Sequence, residues 1–186
     1  MEKKLLVGIT GASGAIYAFI FLKRLRELEV PSEVIITEAG KLVWQHELEK
    51  PWEIIREYAK VVYEEGEISA PPASGSSGYS AMVIIPCTMG TLSGLATGQA
   101  RNLLLRAGDV MLKERKPLIL VVRETPLNAI HLQNMLHLTL AGGVIFPAMP
   151  SFYFKPRTLQ ELIEDFVERL LQFLNLSPNP KNWNGL

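Results

Sequence analysis

The sequence predicts an α/β protein: a single Rossmann-like domain in which a mostly parallel sheet carries helices on both faces. Apolar runs of strand length alternate along the chain with longer segments whose apolar residues recur at helical spacing. The runs at 83–85 and 118–122 are continuously apolar, as strands covered on both faces require. This alternation is typical of strand–helix units that build a parallel sheet.

The predicted elements follow one another in a regular order. We predict strands at 4–9, 33–37, 81–86, 117–122 and 143–147 and helices at 14–29, 39–58, 99–113, 127–140 and 158–174. One domain is expected over 1–186, with 175–186 as a C-terminal tail, because a chain of 186 residues can bury one core. In such a sheet ligands bind beyond the carboxyl ends of the strands, so the segments after the strands are the candidate site.

The amino-acid composition indicates which binding partners and which cellular location to expect. Lysine plus arginine equals aspartate plus glutamate at 19 each, so no global field favours nucleic acid or an anionic membrane. The single cysteine, Cys87, excludes an internal disulfide and suits a reducing cytoplasm, where we expect the protein. Glycines interrupt the apolar N-terminal run, so a signal peptide is not expected, and we expect no membrane span.

The stretch "LLVGITGASGAIYA" joins the first predicted strand to the first predicted helix. Bare backbone N–H groups and a helix N-terminus at this junction can bind an anion. Gly8, Gly11 and Gly14 are spaced by three, unlike the dinucleotide fingerprint, and neither Glu33 nor Glu38 is well placed to bind a ribose. An anion-binding loop and a tight turn that merely needs glycine are both open here.

Residues 69–100 contain no charged side chain. Their Gly, Ser and Pro content fits a flexible linker, but the absence of charge and the Pro71-Pro72 pair favour an ordered surface held against another subunit or a ligand. We predict that this segment is largely buried between subunits.

The histidines and the cysteine do not form a metal-site pattern. His46, His131 and His137 are scattered, and with Cys87 they lack the number and spacing of a metal site. Cys87 follows a predicted buried strand and has no visible histidine partner, so we interpret it as a small apolar core residue rather than a nucleophile.

Several motifs, in order along nearly the whole chain, together resemble the UbiX-type flavin prenyltransferases. These motifs are "GITGASGAIYA", "APPASGSSGYSAMVIIPCTMGTLSGLATG", "LKERKPLILVVRETPLN", "IHLQNMLHLTLAGGVIFPAMPSFY" and the spaced Arg169. The resemblance implies a Rossmann-like domain that binds FMN, needs no metal and assembles into a homo-oligomer, usually a dodecamer.

The resemblance also implies the reaction. The dimethylallyl group of dimethylallyl monophosphate would be joined to N5 and C6 of reduced FMN, which makes the protein a prenyltransferase. The prenylated FMN would serve a UbiD-type decarboxylase, for example in ubiquinone biosynthesis.

The same resemblance assigns FMN-binding positions to the loops that follow the strands. Ser13 would lie near the flavin N5 and would also take part in catalysis. The implied cofactor-binding residues are Gly11, Ala12, Ser13, Thr37, Thr88, Met89, Gly90, Thr91 and Arg123.

A departing allylic phosphate needs preorganised cations, because its negative charge grows as the bond to carbon breaks. The resemblance places Arg106, Lys113 and Arg169 at that phosphate, with Lys113 also catalytic, and Tyr153 as a hydroxyl donor. The alternatives are a solvated helix face for the cations and interfacial packing for Tyr153.

Ring closure on a flavin also requires proton transfers, which a carboxyl group can carry out. Glu47 falls at the family's acid/base position, and Glu124 at a second acidic position of the motif. The alternative for Glu47 is an ordinary solvated helix residue in "QHELEK".

Three other functions compete with prenyl transfer. An FMN-dependent cysteine decarboxylase would carry a Pro-x-Met-Asn-x-x-Met-Trp signature, which is absent where this chain has "RETPLNAIHLQNM". A flavin-binding or storage protein would need the flavin loops but not the second set of cations. A decarboxylase acting directly on an aromatic acid has no dedicated residues in this sequence.

Overall fold

The computed structural model describes residues 4–178 and Gly185. Six strands form one sheet in the order β3-β2-β1-β4-β5-β6, and every neighbouring pair is parallel. The strands are β1 Leu5–Ile9, β2 Ser32–Ile36, β3 Val61–Glu64, β4 Ala81–Cys87, β5 Leu118–Val122 and β6 Val144–Ile145. The predicted α/β class is confirmed, and the sheet is wholly rather than mostly parallel.

The described part of the chain also contains six α-helices. They are α1 Ala15–Glu27, α2 Glu38–Leu48, α3 Met89–Ala96, α4 Leu103–Lys113, α5 Ala129–Leu140 and α6 Leu159–Phe173, with 3₁₀ turns at Trp52–Glu57, Pro71–Ala73 and Gly75–Ser77. Within these bounds, no helix has the length and apolarity needed to cross a bilayer.

The core lies on both faces of the sheet, because successive strand side chains point to opposite sides. On one face Leu6, Ile84 and Leu120 pack in a cluster with residues of α3, α4 and α5. Val7 and Val83 point to the other face and are fully buried, as are Phe21, Leu22 and Leu25 of α1. Helices therefore cover both faces.

Two elements were missing from the sequence prediction. The short strand β3 lies at the sheet edge, where only four residues pair with β2. Helix α3 contains Gly90 and Gly94, which weaken helix propensity. It forms because Thr88 caps it and because Gly94 lets it approach α4, where an added Cβ would lie 2.9 Å from Leu105.

Two predicted helices are shorter than expected. The helix predicted over 39–58 ends at Leu48, after which Glu49 is left-handed with φ 52° and Pro51 prevents continuation. The helix predicted over 99–113 begins only at Leu103, because the Asn102 side chain caps it by accepting from Leu105 N–H at 2.9 Å.

The uncharged segment 69–100 contains β4, whose seven residues are all buried, and α3. The prediction that this segment is ordered is therefore confirmed, whereas its burial between subunits stays a prediction.

The chain divides into two compact units, Met1–Pro147 and Ala148–Leu186. The first unit contains the sheet. The second contains α6, which Thr158 caps by accepting from Glu161 N–H at 3.1 Å. Part of the predicted tail, residues 179–184 and 186, lies outside the described residues.

Candidate functional site

The carboxyl edge of the sheet gathers the N-termini of α1, α2 and α3, which follow β1, β2 and β4 directly. β1 lies between β2 and β4, so the three helix starts are neighbours. Each helix start presents backbone N–H groups and a positive partial charge. This edge is therefore built to bind anionic groups.

The start of α1 already holds a carboxylate. Glu47, from the last turn of α2, accepts the N–H groups of Gly14 and Ala15 on one oxygen, both at 2.8 Å. Burial raises the pKa of Glu47, but hydrogen bonds from the Ser13 hydroxyl and from these two amides outweigh it. The net pKa lies below the usual glutamate value, so Glu47 is a carboxylate at neutral pH.

Arg123 completes this cluster from the end of β5. An added Cβ on Gly14 would lie 3.4 Å from the Arg123 Cδ, and the positive charge of Arg123 contributes to the lowered pKa of Glu47. Burial raises the pKa of the neighbouring Tyr17, and Arg123 opposes that rise. The structure thus brings together three residues that the sequence assigned separately: Ser13, Glu47 and Arg123.

At the start of α2, the Thr37 hydroxyl accepts from Gly40 N–H at 3.0 Å and is buried. The first amide of the helix, that of Glu38, donates to the Glu65 carboxylate at 2.9 Å. An added Cβ on Gly11 would lie 2.6 Å from the Cβ of Ala39. Gly11 is thus required by the close approach of its loop to α2, whatever ligand the loop binds.

At the start of α3, Thr88 and Thr91 face each other. The Thr88 hydroxyl accepts from Thr91 N–H at 3.1 Å and donates to the Thr91 hydroxyl at 2.9 Å. Met89 is largely buried, whereas Gly90 is exposed, with 3.9 Å from an added Cβ to its nearest neighbour, Thr88 Oγ1. Space therefore remains directly above the first turn of α3.

One of the two predicted phosphate-binding cations of α4, Lys113, lies away from this cluster within one chain. Helix α4 begins beside Glu65, which follows the carboxyl end of β3 and whose backbone carbonyl accepts the Leu103 N–H at 2.8 Å. Its 11 residues span about 16 Å and end at Lys113, shortly before β5 begins. Lys113 therefore lies at the amino edge of the sheet, opposite Ser13.

Both cations of α4 have local partners. Arg106 donates to Asp109 at 3.0 Å and to the Ala73 carbonyl at 3.3 Å, and Lys113 pairs with Glu114. These side chains are roughly 40–50% exposed, and exposed pairs contribute at most about 1 kcal/mol. Both cations can therefore exchange partners.

The remaining predicted residues lie at exposed positions. Glu124 follows β5, and its carboxylate accepts the N–H of Thr125 at 3.0 Å. Tyr153 and Arg169 belong to the unit 148–186, where the Tyr153 ring lies 4.2 Å from that of Phe154 and Arg169 is exposed on α6.

Cys87 is fully buried, and burial raises the pKa of its thiol well above the usual range. A buried neutral thiol in the core fits its interpretation as a packing residue. Among the residues that the structure describes, no cluster of His, Cys, Asp and Glu could hold a metal ion.

Two residues of this edge, Thr10 and Glu65, were not identified from the sequence. Thr10 is buried and hydrogen-bonded between β1 and β4, and its position directly after the first strand was the available signal. Glu65 bonds both the start of α2 and the Asn102 cap of α4, at 2.9 and 2.6 Å. No local pattern distinguishes Glu65 from its acidic neighbours.

A parallel sheet whose carboxyl edge combines three helix N-termini, hydroxyl side chains and an arginine defines an α/β protein that binds a phosphorylated ligand. The model of the family described as "Flavoprotein" matches residues 1–171. A probable UbiX-like flavin prenyltransferase from Bacillus subtilis (strain 168) is 43% identical over 184 residues, 98% of this chain and 90% of the relative.

Two solved structures are also similar. The crystal structure of AnUbiX (PadA1) in complex with FMN and dimethylallyl pyrophosphate has a TM-score of 0.97 at 37% identity, with both chains covered completely. A dodecameric FMN-dependent UbiX-like decarboxylase from Escherichia coli O157:H7 has a TM-score of 0.94 at 37% identity, covering 98% of this chain and 100% of that one. The chain belongs to the flavoprotein family and, within it, to the UbiX-type flavin prenyltransferases.

Proposed function

We propose that this protein joins the dimethylallyl group of an allylic phosphate to N5 and C6 of reduced FMN. The observation that carries the proposal is the cluster of Ser13, Glu47 and Arg123 beside the open first turn of α3. This arrangement offers a carboxylate for proton transfer, a cation and an open helix N-terminus at one edge of the sheet. Family membership and the FMN-bound AnUbiX relative support it.

The described residues fit an FMN phosphate best at α3. The first turn of α1 is bonded to Glu47, and the first amide of α2 is bonded to Glu65, so a second anion at either place would be repelled. Within residues 4–178, no carboxylate is hydrogen-bonded to the first turn of α3. Thr88, Thr91 and the amides of Met89 and Gly90 would hold the phosphate, and the isoalloxazine would supply the nucleophilic nitrogen and carbon.

Glu47 is the proton-transfer group of this proposal. Its lowered pKa makes it a carboxylate before ligand binds, so its first transfer is to accept a proton, which it can later return. A hydrogen bond from the Ser13 hydroxyl contributes to the lowered pKa of Glu47, which places this hydroxyl beside the carboxylate. Arg123 keeps the cluster electrically balanced.

The allylic phosphate would be held by Arg106, Lys113, Tyr153 and Arg169, which stabilise the leaving group as charge develops on it. Because Lys113 lies at the opposite sheet edge from Ser13, a site that uses both residues needs Lys113 from a second copy of the chain. Glu124 is proposed as a second acid/base group near Arg123.

Helix α5 supports assembly into a homo-oligomer, which we propose is a dodecamer like that of the Escherichia coli relative. Residues 125–154 contain no Asp, Glu, Lys or Arg. Leu132, Leu136 and Leu140 follow one another at helical spacing and are 54, 56 and 77% exposed in the single chain. A row of exposed leucines of this kind marks a protein–protein contact.

Anaerobic incubation of the protein with reduced FMN and either dimethylallyl monophosphate or the pyrophosphate tests the proposal. We expect mass spectrometry to find FMN heavier by one C5H8 unit, with oxidised FMN as the unreactive control. Unmodified FMN with both donors, while the protein is folded and flavin-bound, would favour a storage protein. Release of CO2 from a peptide C-terminal cysteine would favour the decarboxylase alternative.

Two finer parts of the proposal need separate tests. The product is proposed to pass to a UbiD-type decarboxylase, and the released flavin should activate such an enzyme prepared without cofactor. The cytoplasm is proposed as the location, which fractionation of the source cells would test.

A further inference from the structure

The hydroxyl of Thr10 links the two segments that carry the proposed flavin site. Thr10 is the first residue after β1 and is 2% exposed. Its Oγ1 donates to the Pro86 carbonyl at 2.7 Å and accepts the Thr88 N–H at 3.0 Å. One side chain therefore bonds both sides of Cys87, at the end of β4.

This bond continues the link between β1 and β4 where their regular pairing ends. The last paired residues of these two strands are Gly8 and Ile84, so the Pro86 carbonyl and the Thr88 amide lie beyond that ladder. A buried carbonyl or amide left without a hydrogen-bond partner destabilises the folded chain. Thr10 satisfies one of each with a single hydroxyl group.

The two bonded segments continue directly into the site. Gly11 to Ser13 follow Thr10, and the α3 cap follows at Thr88. A change in the Thr10 bond would therefore alter the spacing between the Ser13–Glu47 pair and the first turn of α3. These are the two places where the flavin ring and its phosphate would bind under the proposed function.

We propose that Thr10 is a positioning residue, which sets the distance between the Ser13 loop and the phosphate-binding turn of α3 without touching the flavin itself. This inference rests on the proposed function and adds a residue to it. The hydroxyl, rather than the bulk of the side chain, is the part that acts.

The test compares Thr10→Val, which keeps the shape and removes the hydroxyl, with Thr10→Ser, which keeps the hydroxyl. The matched control is Ser80→Ala, because Ser80 Oγ donates to the Lys4 carbonyl at 3.0 Å and joins β1 to β4 at the opposite sheet edge. FMN dissociation constants, melting temperatures, kcat and KM are measured for all three variants.

We expect Thr10→Val to weaken FMN binding about tenfold. A change of this size corresponds to the net contribution of one hydrogen bond. Thr10→Ser should stay within about twofold of wild type, and Ser80→Ala should lower the melting temperature while FMN binding is unchanged. The same FMN affinity in Thr10→Val and Ser80→Ala would overturn the inference.

If Thr10→Val does not fold, Thr10→Cys and Thr10→Ser decide, because they differ only in the atom that hydrogen-bonds. Weaker FMN binding by the cysteine variant supports the inference, and equal binding overturns it. Absence of FMN binding by the wild-type protein would instead contradict the proposed function, so the two failures are distinguishable.

Discussion

Among single residues, Glu47 is the main candidate for proton transfer. One of its carboxylate oxygens accepts hydrogen bonds from two amides at the start of α1, and the Ser13 hydroxyl also donates to the carboxylate. We expect Glu47→Gln to lower prenylated-flavin formation at pH 7 by about 100-fold, the lower end of a general acid–base contribution. Single-turnover mass spectrometry of the flavin would measure it. Retained activity with intact flavin binding would restrict Glu47 to a structural role.

The lowered pKa of Glu47 also predicts how stability depends on pH. A carboxyl group whose pKa falls on folding stabilises the protein above its unfolded pKa, about 4.3, and this contribution is lost as the pH falls through the lowered value. The melting-temperature gap between wild type and Glu47→Gln should be constant from pH 7 to 5 and narrow below. A gap that widens in acid would contradict the assignment.

Among the secondary-structure elements, α3 allows a substitution that should affect ligand binding without affecting the stability of the fold. Alanine at position 90 meets nothing closer than 3.9 Å and is a better helix former than glycine. We expect Gly90→Ala to leave the melting temperature of the ligand-free protein unchanged or raised. If the FMN phosphate occupies the space above this turn, the added methyl group should weaken FMN binding at least tenfold, measured by flavin fluorescence titration.

Gly66→Ala is the matched control, because an added Cβ there meets nothing within 4 Å and Gly66 lies outside the proposed site. Unchanged FMN binding in both variants would place the phosphate elsewhere along the sheet edge.

The same elements explain what the sequence could predict. Strands β1, β4 and β5 were predicted because buried parallel strands are continuously apolar. Helices were predicted where apolar residues recur at helical spacing. Helix α3 was missed because Gly90 and Gly94 obscure its propensity, and it depends on a tertiary contact with Leu105 of α4. Local sequence patterns contain no information about that contact.

The candidate site also contains residues that the sequence could predict and residues that it could not. Ser13 and Arg123 follow strands, so their place at the carboxyl edge was predictable from topology. The hydrogen bonds of Glu47 and Thr10 depend on which segments meet in space, across separations of 33 and 76 residues. Such pairs cannot be assigned from spacing along one chain.

For the assembled molecule, the exposed leucines of α5 predict an interface between copies. Leu136→Lys places a charge in the row formed with Leu132 and Leu140, so burial against another copy becomes costly. We expect a smaller particle by multi-angle light scattering. Leu42→Lys on α2, where the leucine is 69% exposed, is the control and should leave the particle size unchanged. Equal particle sizes for both variants and wild type would exclude α5 from the interface.

The places of Lys113 and Ser13 at opposite edges of the sheet predict that a working site needs more than one copy of the chain. Lys113 ends α4 at the amino edge, about 16 Å along the helix from its start near the carboxyl edge, where Ser13 lies. Lys113→Ala and Ser13→Ala should each abolish most prenyl transfer, one through the phosphate and the other through the flavin.

Co-expression of these two variants with different affinity tags, followed by tandem purification, gives oligomers that contain both. Because some sites in the mixture combine an intact Lys113 from one copy with an intact Ser13 from another, we expect prenyl transfer to recover to a substantial fraction of wild type. Separately purified variants, mixed without subunit exchange, are the control and should stay inactive. No recovery in the mixed oligomer would mean that both residues serve the same copy, which would require α4 to move away from its position in the single chain.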